Sequence, residues 1–578
     1  MSRERKPNIV FVLTDDQGYP DLGCCGNPWL KTPCIDAFAG QAVRFQDFHV
    51  APLCAPTRGA LMTGLRPARN GVWATCWGRS ILDPDNKILP ELLQQAGYRT
   101  GMFGKWHLGD NVPNRPQDRG FESVVAHKGG GVGQTPDFWG NNYFDDTYFC
   151  NGEPTAYKGY CTDVWFSQAE RFIRAHRDEP FFCYLATNAP HQPYLVPDCY
   201  RKPYEGIPEI PNPDFYGMIA NIDENFGRLR ATLQELGLED DTILIFMTDN
   251  GSSGAALLDE DGYPIRGYNA GLRGKKGSYY EGGHKVPFFL RWKNGGLENR
   301  DVREMCLHVD ILPTLLSLCG VPLAQPCDGQ DLSPLARGDR EQLPQARYEF
   351  IQLRQSTEPP RKWSGCVMNR QWRLIDGCEL YDIQHDPGQQ QDVAADHPQV
   401  VERMRAAFEE YWKKIAPGID EYSPIWLGDA RENPAELNAM DVMGDVDWNQ
   451  AQIAAAKTTT GNWRVRITRP GLYRFCLRRW PTEFPLAINA DCGQEEARKL
   501  APYTQEWGRT GTVEARQARL RLFGNTLVQP VDASQPETVL EQRIERTGET
   551  TLVAEFLDDQ GRFLTGSYYV SVLWMGPA

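Results

Sequence analysis

Two apolar runs end in paired oxygen donors: Asp15 and Asp16 close "NIVFVLTDD", and Asp249 and Asn250 close "DTILIFMTDN". Carboxylate and amide oxygens suit a hard divalent cation, Ca²⁺ or Mg²⁺, because they supply charge without soft donors. The same residues are also common turn formers after strands, and one pair alone does not separate the two readings. A third stretch, "CAPTRGALMTG", sets Cys54 two positions before Pro56 and four before Arg58, at the mouth of a helical pattern. A thiol in that place is a nucleophile, a metal ligand, a packing residue or a substrate for modification. Helix amides and a guanidinium there would stabilise negative charge. Lys105 and His107 in "GKWHLG", His191 in "NAPHQPY" and Lys276 in "GLRGKKGSYYEGG" add cations and proton carriers. Taken singly, a lysine is usually a solvated charge, and a histidine is as often structural as catalytic.

These residues can act together only if the elements that carry them converge. From Asn8 to about Pro326, β-branched or aromatic runs alternate with segments of helical period. That is the pattern of an α/β fold, a mostly parallel sheet covered by helices on both faces. "NIVFVLTDD", "TGMFGKWHLG", "PFFCYLATNAPH" and "DTILIFMTDN" are the clearest strands, and "ILPELLQQAGY", "DVWFSQAERFIRAH" and "YGMIANIDENFGRLRATLQELGL" the covering helices. Ligands of open α/β sheets bind beyond the carboxyl ends of the strands, so four ends carrying acids, lysine, histidine and asparagine predict one shared site. Residues 110–160 and 251–275, rich in Gly, Asn, Asp and aromatics without clear period, read as loops over that site. A helix near residues 398–414 ends a first domain of residues 1–415, and the irregular residues 416–436 read as a linker. Beyond it the period becomes two, as in "NWRVRITRPGLYRFCLRRW" and "TLVAEFLDDQGRFLTGSYYVSVLW", which predicts an antiparallel β-sandwich over residues 437–578.

A chain of 578 residues is long enough for two domains with large cores. The net charge of −15, from 61 basic and 76 acidic residues, argues against a general affinity for nucleic acid or an anionic membrane surface, so an anionic ligand needs local cations. No apolar run approaches the roughly 20 residues of a membrane span. The polar "MSRERKP" start and sixteen cysteines without a C-x-x-C motif lead to the expectation of a reduced, cytoplasmic protein. A periplasmic or secreted protein whose signal peptide is absent from this chain would look the same.

Taken in order, "PNIVFVLTDDQGYPDLGCCG", the C-x-P-x-R element "CAPTRGALMTG", "GYRTGMFGKWHLG", "APHQPY", "MTDNG", "GKKGSYYEGG", "HVDILPTLLSLCG" and "ELYDIQHDP" resemble the sulfatase family of the alkaline phosphatase superfamily over nearly all of residues 7–415. The resemblance implies an arylsulfatase-like sulfuric ester hydrolase acting on aryl, alkyl or carbohydrate sulfates. It implies that Cys54 is oxidised to formylglycine by a formylglycine-generating enzyme and then hydrated to a geminal diol, whose second hydroxyl allows sulfate to be expelled by collapse to the aldehyde. It also implies that Asp15, Asp16, Asp249, Asn250 and the modified Cys54 hold a divalent metal, Ca²⁺ with Mg²⁺ or Mn²⁺ as alternatives. Arg58 and Lys105 would steady the diol oxygens, and Lys276 would bind the sulfate. His191 would protonate the leaving oxygen, and His107 would remove the second diol proton.

Two positions depart from the family pattern without touching this set: Pro20, where glycine is frequent, and Lys285, where arginine is frequent. His127 and Lys128 in "AHKGGGVGQ" are candidate substrate contacts, or exposed charges on a glycine loop. The competing functions are a phosphonate or phosphate monoester hydrolase of the same superfamily, and a glycan-binding protein with an inactive first domain.

Overall fold

The computed structural model describes residues 6–577 except 345, 346, 501 and 503. Its centre is a ten-stranded sheet in which Thr242–Thr248, Asn8–Thr14, Phe181–Ala186 and Arg99–Lys105 lie side by side, all parallel. These are the four runs that end in chemically capable residues. Along the first strand, Ile9, Phe11 and Leu13 pack with Leu61, Met62 and Leu315 on one face. Val10 and Val12 pack with Phe166, Ile173 and Phe226 on the other. A strand covered on both sides has no polar face to show, which is why it reads as an unbroken apolar run. Burying each such Leu, Ile or Phe contributes about 1.5–3 kcal/mol.

The covering helices include Cys161–Ala175 and Pro213–Glu235 on one face and Cys54–Thr63 on the other. Asn212 starts the long helix by accepting a hydrogen bond from the Phe215 amide, and Pro213 follows at the first turn, where a missing N–H costs nothing. The sheet extends further than expected. Ser123–His127, Thr147–Cys150 and Glu153–Ala156 continue it through residues 110–160, and Ala256–Leu258 pairs with Pro264–Gly267 inside the second expected loop. These strands are short and interleaved with turn residues, so they leave no periodic signal.

A four-stranded antiparallel sheet spanning Glu349–Ile351 to Glu379–Asp382 packs against the helix Pro398–Ile415. The chain then enters two sheets, of six and four strands among the described residues, around a shared core that includes Trp463, Phe475, Phe556 and Val572. Two sandwich strands start within the stretch read as a linker: Ile425–Leu427 joins the six-stranded sheet, and Ala435–Asn438, which crosses the expected boundary at 436, begins the four-stranded one. Both are edge strands of three and four residues, too brief for alternation to show. Ile425–Leu427 runs parallel to Trp463–Ile467, so the sandwich is antiparallel except at that pairing.

Candidate active site

Parallel register brings the two acidic strand ends together. Thr14 pairs with Thr248, and the Asp249 amide donates to the Thr14 carbonyl at 3.1 Å, which sets Asp249 beside Asp15. Asp16 then turns into left-handed backbone, φ 66°, and its amide donates to Asp249 Oδ1 at 3.1 Å. The carboxylates of Asp15, Asp16 and Asp249 converge within 4.8 Å, all buried. Asn250 Nδ2 donates to Asp16 Oδ1 at 3.0 Å.

Each acid has a cation within 3 Å. Lys105 Nζ lies 2.6 Å from Asp15 Oδ2, Arg58 Nη2 lies 2.8 Å from Asp249 Oδ2, and Lys276 Nζ lies 2.6 Å from Asp16 Oδ1. Burial alone would raise the Asp16 carboxyl, but the Lys276 ammonium, with His191 and Lys105, holds it well below the usual range. Burial pushes Asp249 up to about 7, helped by Asp15 and opposed by Arg58. Two oxygens in this cluster, Asp15 Oδ1 and Asn250 Oδ1, are buried without a hydrogen-bond partner. Orphaned oxygen donors beside three converging carboxylates are the donor set a hard divalent cation takes, so these residues fit a metal ion.

Cys54 is the first residue of its helix, which is buried along its whole length. Its thiol is raised by burial, and by Asp15 and Asp249, against the pull of Lys105 and Lys276. A protonated, enclosed thiol is a poor nucleophile. Its sulfur lies 3.4 Å from His107 Nδ1. The other ring nitrogen, Nε2, lies 3.0 Å from the Thr75 carbonyl, an obligatory acceptor, so Nε2 carries the hydrogen and the Nδ1 lone pair faces Cys54. Burial, with Lys105 beside it, keeps His107 neutral, well below the usual imidazole range. His107 sits in left-handed backbone at φ 61°, and a Cβ on Gly130 would lie 2.4 Å from its ring, so the glycine-rich loop packs on this histidine.

His191 places Nε2 3.7 Å from Asp16 Oδ2 while Nδ1 lies 2.5 Å from the Gln192 carbonyl. Burial pushes it down to about 3, with Asp16 pulling the other way. The Lys276 loop is tied to the Cys54 turn through the Gly277 amide, which donates to the Pro52 carbonyl at 2.9 Å.

His127 is not brought to this cleft. It ends the strand beside Lys105, but its Nδ1 meets the Lys128 carbonyl at 3.0 Å, its Nε2 is enclosed without a partner, and its ring lies against Trp165. The Lys128 ammonium lies over the Phe149 ring instead of in the cleft. The loop reaches the cleft two positions later, through Gly130 and Gln134.

A sulfatase family model matches residues 7–321, and a model of the C-terminal part of N-sulphoglucosamine sulphohydrolase matches residues 274–414. The chain belongs to the sulfatase family. Human arylsulfatase A is 32% identical over 366 residues, covering 58% of this chain and 68% of that protein. The N-acetylgalactosamine-6-O-sulfatase of Bacteroides thetaiotaomicron is 26% identical over 507 residues, covering 70% of this chain and 93% of that one. Among solved structures, that of Ps i-CgsB has a TM-score of 0.62 at 26% identity, covering 71% of this chain and 98% of its own. This sulfatase is accordingly a sulfuric ester hydrolase, with the large sheet and helices of its structural neighbours.

Cys54, His107, His191 and Lys276 open into a cleft of about 660 Å³. One wall of that cleft was not foreseen: Met440, Trp448, Lys457 and their neighbours line it from the C-terminal sandwich. No spacing or motif links them to Cys54, from which nearly four hundred residues of chain separate them. Thr75 was also missed, a backbone carbonyl that no residue type announces.

Proposed function

We propose that this sulfatase hydrolyses sulfate esters of carbohydrates, with Cys54 converted to formylglycine. The observation that carries this reading is the placement of Cys54 at a buried helix N-terminus, among Lys105, Lys276, His107 and the acidic cluster, at the base of a cleft large enough for more than an aryl ring. The names of similar proteins support the sugar: one relative is an N-acetylgalactosamine-6-O-sulfatase, and one structure is of Ps i-CgsB in complex with k-i-k-neocarrahexaose.

Asp15, Asp16, Asp249, Asn250 and modified Cys54 would hold the divalent cation, which when bound supplies positive charge to the sulfate oxygens and acidity to the attacking hydroxyl. The hydrated aldehyde supplies that hydroxyl and a second one from which sulfate can be expelled. His107 Nδ1 already faces residue 54 as an acceptor and takes the second proton. Lys276, in the cleft lining beside Asp16, offers its ammonium to the sulfate, and Lys105 and Arg58 hold the acids in place. His191 is neutral in the free enzyme; an anionic sulfate beside Nε2 favours the proton it must give to the leaving oxygen. Because Cys54 is buried, the formylglycine-generating partner must act before the fold closes over "CAPTR".

The test measures sulfate release from sulfated mono- and disaccharides and nitrophenyl sulfate beside phosphate and phosphonate esters, with peptide mass spectrometry of residue 54 on the same preparation. The expected result is turnover of sulfated sugars in proportion to aldehyde content. Faster turnover of phosphate or phosphonate esters would overturn the assignment.

A further inference from the structure

The C-terminal sandwich lies beyond the residues matched by either sulfatase model, which end at residue 414, yet it completes the cleft. It is fastened there by buried polar contacts. The Trp77 amide donates to the Met440 carbonyl at 3.0 Å, and its indole N–H to the Gly444 carbonyl at 3.1 Å. The Thr135 amide donates to the Trp448 carbonyl at 3.1 Å, its hydroxyl to the Asp447 carbonyl at 2.5 Å, and its own carbonyl accepts from the Tyr569 hydroxyl at 3.0 Å. The Gln450 side chain, 1% exposed, reaches the carbonyls of Gln134, Asp137 and Phe138 through Nε2 and accepts from the Gly140 amide through Oε1. Breaking such buried pairs strands polar groups away from water, so the wall keeps a fixed position over Cys54.

The chemistry of this wall differs from that of the floor. Trp77 and Trp448 are half-buried, while Lys457 and Thr458 are exposed at the rim. Aromatic faces with amide and hydroxyl groups suit the apolar faces and hydroxyls of a sugar ring. Lys276, the other lysine of the lining, pairs with Asp16 and is assigned above to the sulfate at the floor. Lys457 forms no salt bridge among the described residues. The acids near it are Asp445, whose Oδ2 accepts from the Thr460 hydroxyl at 3.1 Å, and Asp447, whose buried carboxylate oxygens lack hydrogen bonds and are attracted electrostatically by Lys457.

Building on the carbohydrate reading above, we propose that the sandwich wall is a subsite for the sugar next to the sulfated one. Trp448 provides its stacking face, and Lys457 recognises a second anionic group, sulfate or carboxylate, on that neighbour. The subsite makes the enzyme selective for polyanionic glycans over isolated sulfated sugars.

The experiment uses the full chain carrying the aldehyde. Its substrates are nitrophenyl sulfate, one sulfated monosaccharide, and disaccharides with that same terminus whose second sugar bears no charge, a sulfate or a carboxylate. The parent enzyme should favour the charged disaccharides over the neutral one about threefold in kcat/KM, the scale of one solvent-facing charged contact. Lys457→Ala should erase that preference and Lys457→Arg restore it, with the sulfate and carboxylate arms showing which anion is read. Trp448→Ala should lower kcat/KM on every disaccharide at least tenfold more than on nitrophenyl sulfate, in line with a lost stacking contact. Thermal melts, and the milder Trp448→Phe, separate this effect from misfolding. Equal parent activity on mono- and disaccharides, or variants that slow all substrates in proportion, would overturn the subsite. A parent inactive on every sulfated sugar but active on nitrophenyl sulfate would remove the carbohydrate reading itself, and the subsite with it.

Discussion

The floor and the wall of the cleft are built on opposite principles. On the floor, Asp15, Asp249, Arg58 and Lys105 have fully buried side chains, and each acid there is matched to a cation at salt-bridge distance. On the wall, Trp448 is half-buried and Lys457 exposed, and what fixes them is backbone hydrogen bonding beneath. Reaction chemistry requires charges held without reorganisation, and recognition requires surfaces a ligand can reach. Damage to the paired charges of the floor should therefore cost activity and stability together, whereas damage to the wall should alter selectivity.

The largest expected effect is that of Cys54→Ala, which should reduce sulfate release by about 10³-fold or more, as removal of a nucleophile does. The melting temperature should change little, because a small buried side chain replaces another; retained turnover would deny the floor its reacting group. The two floor histidines come next, each expected to cost about 10²–10⁴-fold. They should differ in kind. His107→Ala should give a burst of nitrophenol followed by slow turnover, and His191→Ala should hurt sugar sulfates far more than the activated ester. Pre-steady-state release with both variants checks this, and a burst in His191→Ala alone would reverse the assignment.

Arg58→Met should destabilise the fold by about 3–5 kcal/mol in urea unfolding, because it leaves Asp249 buried without its ion-pair partner. A value near zero would mean that the floor is not organised by paired charge.

Measured over a single pH unit, the smallest effect belongs to the loop where floor and wall meet. Asp137 Oδ2 accepts from the Gly133 amide at 2.9 Å and from Asn141 at 3.0 Å, and burial pushes its carboxyl up to about 8. The folded chain therefore holds a proton that the unfolded chain releases near its ordinary value of 3.8. Stability from this group is complete below that value and is lost as pH rises toward 8, at up to about 1.4 kcal/mol per pH unit. Asp137→Asn, which cannot ionise, should flatten that slope in unfolding measured from pH 4 to 8; an unchanged slope would exclude Asp137 as its source.

The candidate site was legible wherever one residue type at a strand end carries the chemistry. Asp15 with Asp16, Asp249 with Asn250, Lys105 and His191 each follow an apolar run, and parallel pairing places those runs in one row. His127 shows the limit of that rule. It also ends a strand, next to Lys105, but its side chain turns toward Trp165 and away from the cleft. The direction of a side chain after a strand end depends on what packs there, which adjacent sequence does not record.

By itself the sequence determined the α/β layering, the acidic strand ends, the helix that begins at Cys54 and the presence of a β-rich C-terminal part, because periodicity and local turn chemistry are properties of neighbouring residues. Tertiary structure alone decided which nitrogen of His107 faces Cys54, since the Thr75 carbonyl fixes the tautomer. It alone decided that edge strands at Ile425–Leu427 and Ala435–Asn438 start the sandwich early. It alone set Trp448 and Lys457 above a cysteine far away in the chain. Contacts of that range are selected by burial and hydrogen-bond satisfaction over the whole molecule, and no local pattern encodes them.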